Sequence, residues 1–277
     1  MTRPLGRLPL WQAGLWVVLG GGVAQVAGGL TAGAMRAHQG ATSGGMTAGL
    51  VVPALVASAG SLLAIALLAP LVAGVPLRAA LHLRPASPLC YAAAAAGTVM
   101  LGPTADALMR LMERLLPQLN LGVVTMLHDL VRQVPLPLAW PAFALLPGLG
   151  EELMFRGLLQ TAAGTGLLGI VISAVSFAAF HIDPHHVAGV LPLGFFLAWV
   201  GARCGTWVTI FAHVVNNSVA IAVVHSEVFD VGYGTEEPMP WAWLPASLAL
   251  VAICAWVVLR NSSQRAGMIP VSDAKEL

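Results

Sequence analysis

Three charges stand within six residues near the middle of an otherwise apolar chain: Glu151, Glu152 and Arg156, in the run PGLGEELMFRG. Only 9% of the 277 residues are charged and 58% are hydrophobic. An ionisable side chain in membrane sequence costs about 2.5–3.5 kcal/mol on insertion scales and marks a functional site by default. In a helix, Glu152 and Arg156 lie four residues apart on one face, with the glutamate N-terminal to the base, the favoured order. Glu151 lies about 100° further round and must meet another neighbour. A carboxylate in a low-dielectric site resists ionisation unless positive charge or hydrogen bonds oppose this. That is the setting of a general base or acid. The alternative is a plain salt-bridge network locking two helices. Pro147, Gly148 and Gly150 would loosen or start the helix, which would put both glutamates at its positive dipole end.

Two later apolar stretches carry histidines at helical spacing. Phe177 and His181 share one face, as do His213 and Asn217. Each polar group in lipid needs a partner, and the economical solution is that these side chains partner one another and the glutamates. Asp183, His185 and His186 read as an ordinary polar loop at the membrane surface, or else as the lining of a water entrance. Ser173, Ser176 and Ser218 are expected to bond back to helical carbonyls of their own segments. No Gly-x-Ser-x-Gly, no P-loop and no His-Glu-x-x-His is present.

These residues need a frame. A mean hydropathy of +0.83 with so few charges makes the chain an integral membrane protein. Long apolar runs without strict alternation favour helices over a barrel, so the expected fold is an all-α, polytopic transmembrane helix bundle. Eight spans are expected, at 10–30, 46–72, 89–101, 136–163, 167–181, 186–200, 206–224 and 241–259. The first is read as a retained helix that also targets the chain. An amphipathic stretch over 105–134 would lie on the bilayer interface, with a lid or substrate guide as the alternative. This divides the chain into N-terminal helices plus the amphipathic stretch (1–134), a core carrying the charges and histidines (135–226), and an acidic loop, last helix and polar tail (227–277). Lys and Arg favour the side holding both termini: Arg3, Arg7, Arg78, Arg84, Arg203, Arg260, Arg265 and Lys275 against Arg36, Arg110, Arg114 and Arg132. Both termini are therefore expected in the cytoplasm. The net charge of +1 and the lack of a basic run predict no nucleic-acid partner. Cys90, Cys204 and Cys254 read as small apolar residues rather than a disulfide or metal set.

Glu-Glu-x-x-x-Arg, Phe-x-x-x-His and His-x-x-x-Asn, in that order on membrane helices, resemble the motifs of the CPBP intramembrane proteases. That group includes the type II CAAX prenyl endopeptidases and the Abi and bacteriocin self-immunity proteins. The resemblance covers about 136–224. It implies an intramembrane endopeptidase of a bacterial-type plasma membrane, acting on a membrane-embedded or lipidated protein or peptide. Glu151 would activate water with His181, and His213 and Asn217 would stabilise the oxyanion. Glu152, Arg156 and Phe177 would support the site. Zinc on Glu151, His181 and His213 is the alternative; a metal-independent route with no cofactor is preferred, because Asn217 is a poor ligand but a good donor. The rival functions are a proton-coupled transporter, although no internal repeat is visible, and a non-catalytic immunity or scaffold protein.

Overall fold

The computed structural model describes residues 7–38, 48–226, 231–232, 235 and 237–266. Expectations on Arg3 and Lys275, on most of the acidic loop after 226, and on the side chains of Arg36 and Arg265 lie outside what it describes. The described chain is helical throughout, with no strand. Apart from short helical turns, ten helices follow in order: α1 (Leu10–His38), α2 (Ala48–Val72), α3 (Pro88–Met100), α4 (Gly102–Leu115), α5 (Val123–Gln133), the composite α6 (136–163), α7 (Leu167–Ala179), α8 (Pro184–Cys204), α9 (Thr206–Ser226) and α10 (Trp243–Ala266). Five of them, α1, α2, α8, α9 and α10, are long and apolar enough to cross a membrane. Of the other three expected spans, α3 and α7 are shorter helices and α6 alternates α and π geometry along its length. The protein is an all-α polytopic membrane bundle.

Helix ends follow local chemistry. At the start of α3, Ser87 Oγ accepts Cys90 N–H at 3.3 Å, with Pro88 in the first turn. The amphipathic stretch is not one helix but two, α4 and α5, separated by 116–122. Buried Asp106 of α4 holds Arg110 at 3.2 Å and accepts Met239 N–H at 3.0 Å, while Arg110 donates to Glu237 O at 2.9 Å. This stretch is thereby strapped to the segment before α10. At the opposite end, Thr206 fastens the 73–87 connection by donating to Leu81 O at 2.7 Å and to His82 O at 3.1 Å. Burial, then the charge of Arg84, push His82 down to about 4, so this anchor is neutral at physiological pH.

Helix α6 is the axis of the molecule. It runs unbroken from 136 to 163, but alternates α geometry with π turns over Trp140–Leu145 and Leu153–Leu159. Pro141 and Pro147 each remove a backbone donor, and the ladder slips by one residue, so that Leu146 N–H bonds Pro141 O and Gln160 N–H bonds Phe155 O. The expected helix start at 147–150 is therefore corrected: Glu151 and Glu152 sit inside a continuous helix, without an N-terminal dipole to favour them. The glycines serve close packing instead. A Cβ on Gly148 would lie 2.7 Å from Val214 Cγ2 of α9, and one on Gly150 would lie 2.9 Å from Ala59 O of α2. One apolar core joins α1, α2, α6 and α7; a second joins α3, α8, α9 and α10. Cys90 and Cys204 are buried in the second, as free thiols.

These contacts make Gly150→Ala destabilising by about 1–3 kcal/mol, the usual range for overpacking. Gly60→Ala in α2 has nothing within 4 Å of the new methyl and is expected to be neutral or slightly stabilising. SDS-titration unfolding of the two purified variants checks the difference.

Candidate active site

The site begins with a stripe on α6. Glu152, Arg156 and Gln160 follow at four-residue intervals, and all three are buried, Glu152 to 0% exposure and Arg156 to 1%. Arg156 Nη1 donates to Glu152 Oε1 at 2.9 Å. Arg156 Nη2 and Gln160 Nε2 donate to Gly194 O at 3.2 Å and Ala198 O at 2.7 Å. These carbonyls are themselves one turn apart on α8. The guanidinium also sits 4.1 Å from the centre of the Phe177 ring. One arginine thus ties α6 to α8 and α7 while neutralising a carboxylate far from water.

His213 of α9 completes the charged group. Its Nδ1 lies 2.9 Å from Glu152 Oε1, the same oxygen that Arg156 holds. An oxygen receiving two donors is a carboxylate acceptor, so Nδ1 carries the proton. Nε2 then points at Glu151, 3.9 Å from Oε2, within ion-pair range but beyond a hydrogen bond. The two neighbouring glutamates meet opposite edges of the ring: Glu152 accepts both donors on Oε1, and Glu151 faces the far edge of His213. Asn217, one turn on, gives one amide hydrogen to Phe143 O at 3.2 Å and accepts from Asn216 at 3.3 Å; its second N–H is a further donor.

His181 stands just past the end of α7. Its Nδ1 lies 3.0 Å from Phe177 O; a carbonyl only accepts, so this nitrogen is the protonated one and Nε2 carries the lone pair. Phe177 meets both histidines edge-on, His181 at 5.0 Å and His213 at 5.8 Å between ring centres. Six motif residues are thus joined by contacts from α6, α9 and the end of α7, and Asn217 stands one turn beyond His213 on α9. As expected, Glu151 meets His213; among the described residues no direct hydrogen bond or ion pair joins Glu151 to His181. Nor are three His, Cys, Asp or Glu side chains disposed there to hold a metal ion. His213 and His181 each commit Nδ1, to Glu152 and to Phe177 O, and no step below runs through a metal.

Other polar residues differ from expectation. Asp183 and His185 are not a surface loop: they are 1% and 2% exposed. Asp183 caps α8, which begins two residues earlier than the periodicity suggested. Ser218 does bond its own segment at Val214 O, but Ser173 reaches across to Phe155 O at 3.0 Å, a carbonyl in the π turn. Gln160 lies outside the three motifs and carries no charge, and its four-residue spacing from Arg156 is the signal in the sequence that places it on the stripe.

Residues 133–219 match the family model described as type II CAAX prenyl endopeptidase Rce1-like. No curated protein and no solved structure matches the chain. The resemblance carried by the three motifs stands on that matched segment, which contains every residue of the stripe and both histidines.

The Glu152–Arg156 contact has a measurable consequence. Arg156→Met leaves a buried carboxylate without its cation and is expected to cost about 3–5 kcal/mol. Adding Glu152→Gln removes the orphaned charge, so the double variant should be more stable than Arg156→Met alone. A double-mutant cycle by SDS-titration unfolding reads this coupling.

Proposed function

We propose that this protein is an intramembrane endopeptidase that hydrolyses a peptide bond of a membrane-anchored, lipid-modified protein, a prenylated protein with a C-terminal CAAX sequence being the class that the matching family implies. The observation that carries this reading is the unequal use of two adjacent carboxylates. Glu152 is consumed by Arg156 and His213, whereas Glu151 stands at the other edge of the same imidazole, 3.9 Å away. A structural pair would use both carboxylates; a hydrolytic site needs one held as carboxylate to orient the ring and one available as base.

The chemistry then runs through the chain's own residues. Glu151 takes a proton from water, and the water oxygen bonds the scissile carbonyl carbon. His181 orients that water through Nε2, the nitrogen left without hydrogen by the bond to Phe177 O. Charge developing on the carbonyl oxygen is met by donors from α9. Asn217 supplies its second amide hydrogen, and His213 donates from Nε2. The C–N bond breaks, and Glu151 returns the proton to the leaving amine. Arg156 keeps Glu152 ionised, so that the ring of His213 cannot turn.

Protein reconstituted in liposomes is expected to cleave an internally quenched, farnesylated CAAX peptide. Glu151→Gln and His181→Ala should each lower kcat by about 10²–10⁴, and Asn217→Ala by about 10²–10³, with unfolding midpoints close to that of the parent. Full cleavage by Glu151→Gln would overturn the assignment of the base. Proton flux into the same liposomes, abolished by that substitution in the absence of peptide cleavage, would instead establish a transporter.

A further inference from the structure

The α7–α8 turn delivers a residue to the site that none of the three motifs contains. His186, in the first turn of α8, packs its ring edge-on against His181, with centres 4.6 Å apart and planes at 74°. This is closer than the Phe177 contact on the same imidazole, at 5.0 Å. His181 is thus held among three rings, Phe177 and Phe180 from its own helix end and His186 from the next helix, with His186 the nearest. The turn that makes this possible is four residues long. Ile182 adopts a left-handed backbone with φ of 63°, unfavourable for a β-branched residue and sustained only by surrounding structure. Asp183 provides that support. Its Oδ1 accepts His185 N–H at 2.9 Å and His186 N–H at 3.5 Å, and its Oδ2 accepts Val123 N–H of α5 at 3.2 Å. His185 adds a tie from the same turn to Leu116 O at 3.0 Å.

The ring of His186 is not held there for its own hydrogen bonds. Its Nδ1 is buried without a partner among the described residues, a cost that a buried imidazole normally avoids. We propose that His186 is a positioning residue for His181: its ring, locked by the Asp183 cap, fixes the plane of His181 and so keeps Nδ1 on Phe177 O and Nε2 toward the reacting water. The role belongs to the aromatic ring rather than to a nitrogen, because the nitrogen is unbonded and the contact is edge-to-face. The catalytic part of this inference rests on the endopeptidase reading; the orientation of His181 does not.

The test uses two substitutions of similar size in the full chain, His186→Phe, which keeps a ring, and His186→Leu, which removes it. With ¹⁵N-histidine labelling, the parent and His186→Phe should show His181 as a single tautomer protonated at Nδ1. His186→Leu should show averaged tautomer shifts. With the farnesylated CAAX peptide, His186→Leu should lose about three- to tenfold in kcat at unchanged KM, and His186→Phe should stay within about twofold of the parent. Unchanged His181 shifts in a folded His186→Leu, or equal disturbance by both substitutions, overturns the proposal. If His186→Leu does not fold, loss of the single tautomer in His186→Phe overturns it and retention supports it. A parent that does not cleave the peptide would refute the endopeptidase reading, while the tautomer measurement would still decide the role of His186.

Discussion

Burying a carboxylate and a guanidinium together in the middle of a membrane bundle sets the terms for everything around them. Each ion alone would cost several kcal/mol to desolvate, and the attraction between them offsets this only when geometry is good and the remaining hydrogen-bonding groups are partnered. Arg156 goes most of the way by dividing its Nη donors between Glu152 and Gly194 O and lying against Phe177, while its Nε has no hydrogen-bond partner among the described residues. Glu152 accepts a second donor, His213, on the same Oε1. The helices supplying these groups, α6, α7, α8 and α9, therefore cannot slide independently. In lipid, where apolar contact does little to favour one helix arrangement over another, this polar knot specifies the register.

The knot also separates two histidines that look alike in sequence. His213 is aligned by a charge, and its far nitrogen is directed at Glu151. His181 is aligned by a backbone carbonyl and aromatic edges, with no formal charge at its bonded nitrogen. Water addition to an amide asks for different things on the two sides of the carbon: a neutral acceptor near the attacking oxygen and cationic or neutral donors near the carbonyl oxygen. The different supports given to the two rings suit that division.

Much of this could be read from residue types and spacing. The Glu152–Arg156 pair followed from one helical turn, and all eight expected apolar segments correspond to helices because hydropathy and length constrain membrane helices strongly. What escaped was whatever depended on backbone detail or on contacts between distant helices. Pro147 and two glycines looked like a helix start, yet the membrane leaves no water to satisfy an open end, and π turns kept the ladder closed. The amphipathic stretch showed its periodicity but not its break at 116–122. Helical spacing separated Glu152, paired with Arg156, from Glu151, which meets His213; it did not show that the same ring also bonds Glu152, since nothing local encodes a contact some sixty positions away.

The short link between α7 and α8 has a further meaning. Connections between membrane helices usually vary in length with little effect, because they run through solvent and carry few contacts. Here one left-handed residue and one capping aspartate set both the direction of α8 and its rotation about its own axis. Adding or removing a single residue would turn the face bearing Gly194 and Ala198 away from α6. A stretch with the outward character of a hinge thus acts as a gauge block, and its length, more than its composition, is what the fold cannot vary.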